Sequence, residues 1–173
     1  MPRSRSLFPI AALALASTAL LAGCAGVTGS GSAEINGSSG GDCAGVEVVV
    51  DFDVLDGTDT TTCLNTSSAI SASDALAQAG VTTEGTKQYG DAVVCRVNGL
   101  PSATEPFDVA GQAVTESCDA MPSANAYWSL WQKTGSADWG YATTGVADIT
   151  LNPGDALGLV FTVNNSTASP VAK

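Results

Sequence analysis

All three tryptophans of the chain and two of its three tyrosines fall within 15 positions, as Tyr127, Trp128, Trp131, Trp139 and Tyr141. Amphipathic rings grouped in this way suit stacking against a flat ligand or a sugar ring, with hydroxyl and indole N–H groups at the margin. On a strand, Tyr127 and Trp131 share one face and Trp128 points to the other. The same residues therefore also fit a core in which Trp128 and Leu130 are buried while Tyr127 and Trp131 cap a sheet edge. Catalytic chemistry finds less support. The chain contains no histidine, which excludes Ser-His and Cys-His nucleophile pairs and imidazole ligation of a metal. Three lysines are present without a Ser-x-x-Lys spacing, and no Gly-x-Ser-x-Gly elbow joins a strand to a helix. Asp51 and Asp53 stand two apart on one strand face, where they cannot flank a glycosidic bond. The run Asp51, Asp53, Asp56 and Asp59 does not follow the spacing of a calcium loop and reads as a solvated face. Neither catalytic residues, a metal nor a cofactor is expected.

Five cysteines carry the remaining chemistry. Cys24 follows Leu21-Ala22-Gly23, after an apolar run over residues 7–20 and the basic residues Arg3 and Arg5. A basic start, an apolar segment too short for the roughly 20 residues of a membrane span, and small residues at a cleavage point define an export signal. A Leu three places before a Cys, with two small residues between, resembles the lipobox of bacterial lipoproteins. That resemblance implies cleavage after residue 23 and diacylation of Cys24, and two acyl chains suffice for stable anchoring. The expected site is extracytoplasmic, at the cell membrane. The other four, Cys43, Cys63, Cys95 and Cys118, are an even set in an exported domain and suggest two disulfides. Three pairings are possible. Sequence order favours Cys43–Cys63 and Cys95–Cys118, each closing a loop of modest size. Without a His or a Cys-x-x-Cys pair, structural zinc is not expected.

The charge balance limits partners. The chain has 6 basic and 17 acidic residues, a net of −11. Arg3 and Arg5 lie in the leader, so the mature chain keeps 4 basic against 17 acidic residues, a net of −13. Such a surface repels phosphates, and no nucleic-acid partner is expected.

The elements that position these residues follow from patterning. Residues 24–43 hold the lipidated cysteine and a Gly/Ser-rich tether with an average reach of about 20–25 Å. Residues 46–55 alternate, with Val48, Val50, Phe52 and Val54 on one face, the period of a half-buried strand. A helix is expected near 72–79: Ser71 caps it, Asp74 answers three places on, Ala72, Ala75, Leu76 and Ala79 form its apolar stripe, and Gly80 stops it. Strands follow at 92–97 and 126–132, with a short one near 140–144. Another runs from Leu157 to Val163 after the Asn152-Pro153-Gly154-Asp155 turn. Residues 100–124 read as a long irregular connection and 164–173 as a polar tail. One helix among strands indicates an α+β domain over 44–163, a mixed sheet with the helix on one face.

The order of the strand over 46–54, Ser73-Asp74-Ala75-Leu76 with Ala79-Gly80, Tyr89-Gly90, Val97-Asn98-Gly99, Tyr127-Trp128, Gly145-Val146 and Pro153-Gly154-Asp155 resembles the transcobalamin-like C-terminal domain family. The resemblance covers residues 44–163 and implies a β-grasp-like fold. In the vitamin carriers of that family the domain covers a corrinoid held against a larger helical domain, which these 173 residues do not include. Cys95 and Cys118 depart from the carriers and suggest a disulfide-bearing bacterial branch, and the resemblance assigns no corrinoid-contacting residue here. The expectation is a tethered ligand-binding module, the capture component of a nutrient or vitamin transporter. The alternative is a structural or protein-interaction lipoprotein of the envelope without a small-molecule ligand.

Overall fold

Fourteen short elements are recognisable in the computed structural model, which describes residues 35–36, 43–164 and 168–170. In chain order they are β1 (Ile35–Asn36), β2 (Val46–Asp51), β3 (Thr60–Leu64), β4 (Ile70–Ser71), α1 (Ala72–Gln78), β5 (Thr83–Thr86) and β6 (Gly90–Val97). There follow β7 (Phe107–Val109), β8 (Gln112–Val114), β9 (Ala126–Lys133), β10 (Gly140–Tyr141), a 3-10 turn (Val146–Asp148), β11 (Thr150–Leu151) and β12 (Ala156–Val163). The expected leader and Cys24 lie outside the described residues. Ile35 and Asn36, inside the segment expected to be a tether, pair as β1 with Leu64 and Cys63 of β3.

The main sheet has the order β1-β3-β2-β12-β9-β10. Its two central strands, β2 and β12, run parallel, with Leu157 beside Val48 and Leu159 beside Val50. The other neighbours pair antiparallel. The sheet is therefore mixed, and the single α-helix makes the described domain α+β. Period-two alternation sends Val46, Val48 and Val50 of β2 and Leu157, Leu159, Phe161 and Val163 of β12 into one core. Helix α1 adds Ala72, Ala75 and Leu76 to it. Seven residues cannot hold a helix by propensity, so this packing and the cap sustain it. Ser71 Oγ accepts from the Asp74 N–H at 3.1 Å and donates to Asp74 Oδ2 at 2.7 Å. At the other end, Gly80 takes a positive φ of 73°, a conformation open to glycine at no steric cost.

Both favoured disulfides are formed, Cys43–Cys63 and Cys95–Cys118. The first ties the approach to β2 onto β3, and the second ties β6 to the chain beyond β8.

Two expectations are corrected. The strand beginning at Val46 ends at Asp51 rather than continuing to Leu55. The Asp59 carboxylate accepts from the Phe52 N–H at 2.7 Å and the Asp51 carboxylate from the Asp53 N–H at 3.0 Å. Asp53 turns to a φ of 48°, and Val54 ends up 51% exposed. These carboxylates thus shape a turn rather than line a face. The connection over 100–124 is also less irregular than expected, because β7 and β8 form a hairpin across Ala110 and Gly111, both at positive φ. Phe107 of that hairpin packs edge-on against Phe161, their centroids 5.5 Å apart. Among the described residues, no helix is long and apolar enough to cross a membrane.

Candidate functional site

Strand β9 carries three of the five clustered aromatics, and its neighbours decide what each one does. On its core face, Trp128 is buried, edge-on to Phe52 at 5.2 Å and to Phe161 at 5.4 Å, and donates its indole N–H to the Leu100 carbonyl at 3.0 Å. This is the role that the core reading of the aromatic cluster gives it, and Trp128 also lines the groove described below. Leu130, on the same face, is only partly buried.

The opposite face differs from the edge-capping picture. Trp131 is 6% exposed. Its indole N–H donates to Ser129 Oγ at 2.9 Å, which in turn bonds the Val160 carbonyl at 2.9 Å and lies 2.9 Å from the Thr162 hydroxyl. The cause is a second covered face. A Cβ placed on Gly158 would lie 2.2 Å from Cγ of Pro170 and 3.3 Å from Cζ3 of Trp139. Glycine in β12 thus lets the chain near Pro170 and the half-buried Trp139 lie flat on the sheet. Pro170, within the segment expected to be a polar tail, is buried.

Tyr141 of β10 stacks on Trp131, with centroids 4.0 Å apart and planes 28° from parallel, yet remains 47% exposed. Partial desolvation, the nearby Tyr127 and a hydrogen bond with the Tyr127 hydroxyl together raise the Tyr141 pKa above the ordinary tyrosine value. Tyr127 and Tyr141 are thus brought together, while Trp131 and Trp139 serve the covered face.

Beside this pair, along the outer edge of β9, lies an open groove of about 760 Å³. Tyr127, Trp128 and Leu130 form one wall and Ala92, Val93 and Val94 of β6 another. Met121, 60% exposed, and the segment from Ala142 to Val146 complete it. None of the lining residues is charged, and the volume lies in the range of roughly 300–1,000 Å³ common for ligand sites. Its side-chain polar groups are the tyrosine pair and the hydroxyls of Ser123, Thr143 and Thr144. Met121, Thr143 and Thr144 carry no periodicity and sit in loops, so patterning could not single them out.

Cys95, Glu116 and Cys118 place potential metal ligands within 4.8 Å of one another. The two sulfurs are bonded to each other, and Glu116 Oε1 accepts from the Cys118 N–H at 2.7 Å. A thiolate site is thereby ruled out here. Comparison with family models, with curated proteins and with solved structures finds no match to this chain.

Proposed function

We propose that this chain is a membrane-anchored extracytoplasmic lipoprotein that captures a ligand in the groove beside β9, serving a nutrient transporter as its binding component. The observation that carries the reading is the exposed Tyr141 ring, backed by Trp131 at the lip of an uncharged groove that Tyr127 also lines. A ring already held by stacking offers its free face to a ligand with little loss of rotamer freedom. The lining presents hydroxyls and apolar surface without a carboxylate, amine or thiolate, which supports binding rather than catalysis. The leader, the Cys24 motif and two disulfides support an anchored domain in an oxidising compartment. Kinship to the transcobalamin-like C-terminal domains and a β-grasp topology belong to the same reading. The parallel β2–β12 pair at the sheet centre, with α1 on one face, supports them.

Trp131 lies directly behind Tyr141, so its emission reports on the groove. Titration of the mature protein with vitamins, oligosaccharides and peptides is expected to give a saturable change for one class, weakened roughly 2- to 10-fold by Tyr141→Ala, the worth of one stacking contact. A flat response to every class would remove the reading.

A further inference from the structure

The groove has a second property besides its rings: one wall is an unpaired sheet edge. β10 pairs with β9 only at Trp131 and Gln132. From Ala126 to Leu130, no strand among the described residues lies on that side. The direction of the backbone groups there is fixed by two bonds. The Asn125 carbonyl accepts from the Asn164 N–H on the β12 side, and the Leu130 carbonyl accepts from the Ala142 N–H on the groove side. In an antiparallel ladder these directions alternate, so Ala126, Trp128 and Leu130 turn their backbone groups outward. The Ala126 N–H is taken by the Ser123 carbonyl. The Ala126 carbonyl, both groups of Trp128 and the Leu130 N–H remain for a strand that the described chain does not supply.

Sheet proteins usually blunt such an edge with a charged residue or a proline. The segment Ala126-Tyr127-Trp128-Ser129-Leu130 has neither. β6 forms the far wall of the groove, across from the free edge of β9. Charge completes the argument. The lining is uncharged, but exposed Asp91 precedes the lining residue Ala92 in the chain and exposed Asp148 stands two residues beyond the lining residue Val146. Of the three basic residues within 43–164, Lys87 is paired with Asp119 and Arg96 with Glu84, leaving Lys133.

We infer that the groove ligand is an extended polypeptide segment, uncharged at its centre and basic at its flanks, which adds a strand to the free edge of β9 and lays one side chain on Tyr141. This deepens the proposed capture function and rests on the groove being its site. Main-chain hydrogen bonds would give affinity, and the rings and the neighbouring Asp91 and Asp148 would choose among segments.

The test is selection of a randomised nonapeptide display library on the full-length mature protein, followed by synthesis of the enriched peptides in two N-methylated forms. Methylating alternate amides on one edge of the peptide is expected to weaken binding roughly tenfold or more, and methylating the other set to leave it nearly unchanged, since two main-chain bonds are lost in one case only. Leu130→Pro, which removes an outward N–H without touching the β12 ladder, is expected to weaken binding similarly while near-ultraviolet circular dichroism stays native. Enriched peptides that tolerate both methylation patterns would overturn the strand-addition geometry. A selection that returns no peptide, while Trp emission still responds to a free vitamin or sugar, would overturn the polypeptide ligand and leave the groove as a small-molecule site. Silence in both assays would remove the inference and the capture function together.

Discussion

Tyr141 shows how one residue can carry both a stacking surface and a test of its surroundings. Its pKa is raised first by desolvation, then by the charge of a nearby Tyr127, then by the hydrogen bond to Tyr127. The raised value means that the folded state favours the neutral phenol. The resulting contribution to stability is complete below the ordinary tyrosine pKa and is lost as pH rises through the raised one. Tyr127→Phe removes the last two causes and keeps the first. Ultraviolet titration of tyrosinate is therefore expected to show Tyr141 moving part of the way back toward the ordinary value, and an unmoved titration would rule out the pair. This partnership was half legible in the sequence. Alternation placed Tyr127 and Trp131 on one face, but it could not tell which face would be covered. The answer depended on Gly158 in β12 and on Pro170 far along the chain, neither of which has a local signal pointing to β9. Composition groups Trp131 and Trp139 with Tyr141, and the fold sets Trp131 buried and Trp139 half-buried on the Gly158 face.

Among the elements, β6 depends on a buried arginine. Arg96 is only 5% exposed. Its Nε donates to the Pro101 carbonyl at 2.8 Å, Nη1 to Glu84 of β5 at 2.7 Å, and Nη2 to the Glu116 carbonyl at 2.6 Å. One guanidinium thus joins β5, β6 and the chain on both sides of the β7–β8 hairpin, using the planar fork that a lysine lacks. Arg96→Met leaves two carbonyls without this donor and is expected to cost about 3 kcal/mol, read as a lower denaturant midpoint with both disulfides intact. An unchanged midpoint would show that water replaces the guanidinium at no cost. Helix α1 and strand β12 were legible because their signals are local: a cap with its answering Asp74, and four large apolar residues at period two. The β7–β8 hairpin was not, because three-residue strands hold too few positions to display a period. The Arg96 contacts escaped for a different reason, since they join residues up to 20 positions apart.

At the scale of the whole molecule, the disulfides link the fold to the redox state of its surroundings. Each spans a modest loop, 20 residues for Cys43–Cys63 and 23 for Cys95–Cys118. Closing loops of that length in the unfolded chain contributes about 3 kcal/mol each, so about 6 kcal/mol together. Domains of this size have a total stability of about 5–15 kcal/mol. Losing one bridge should therefore leave a folded but weaker domain, while losing both takes it to the margin. The paired substitution Cys95→Ser with Cys118→Ser is expected to keep the native near-ultraviolet circular dichroism and lower the thermal midpoint. Full reduction of the native protein is expected to abolish much of that signal at 37 °C, the temperature at which small secreted domains stripped of native bridges often fail to fold. If the chain is exported and anchored as proposed, a domain that cannot hold its groove while reduced would acquire it only in an oxidising compartment. A reduced protein with the thermal midpoint of the oxidised one would break that link, since the fold would then be as stable in a reducing cytoplasm as outside it.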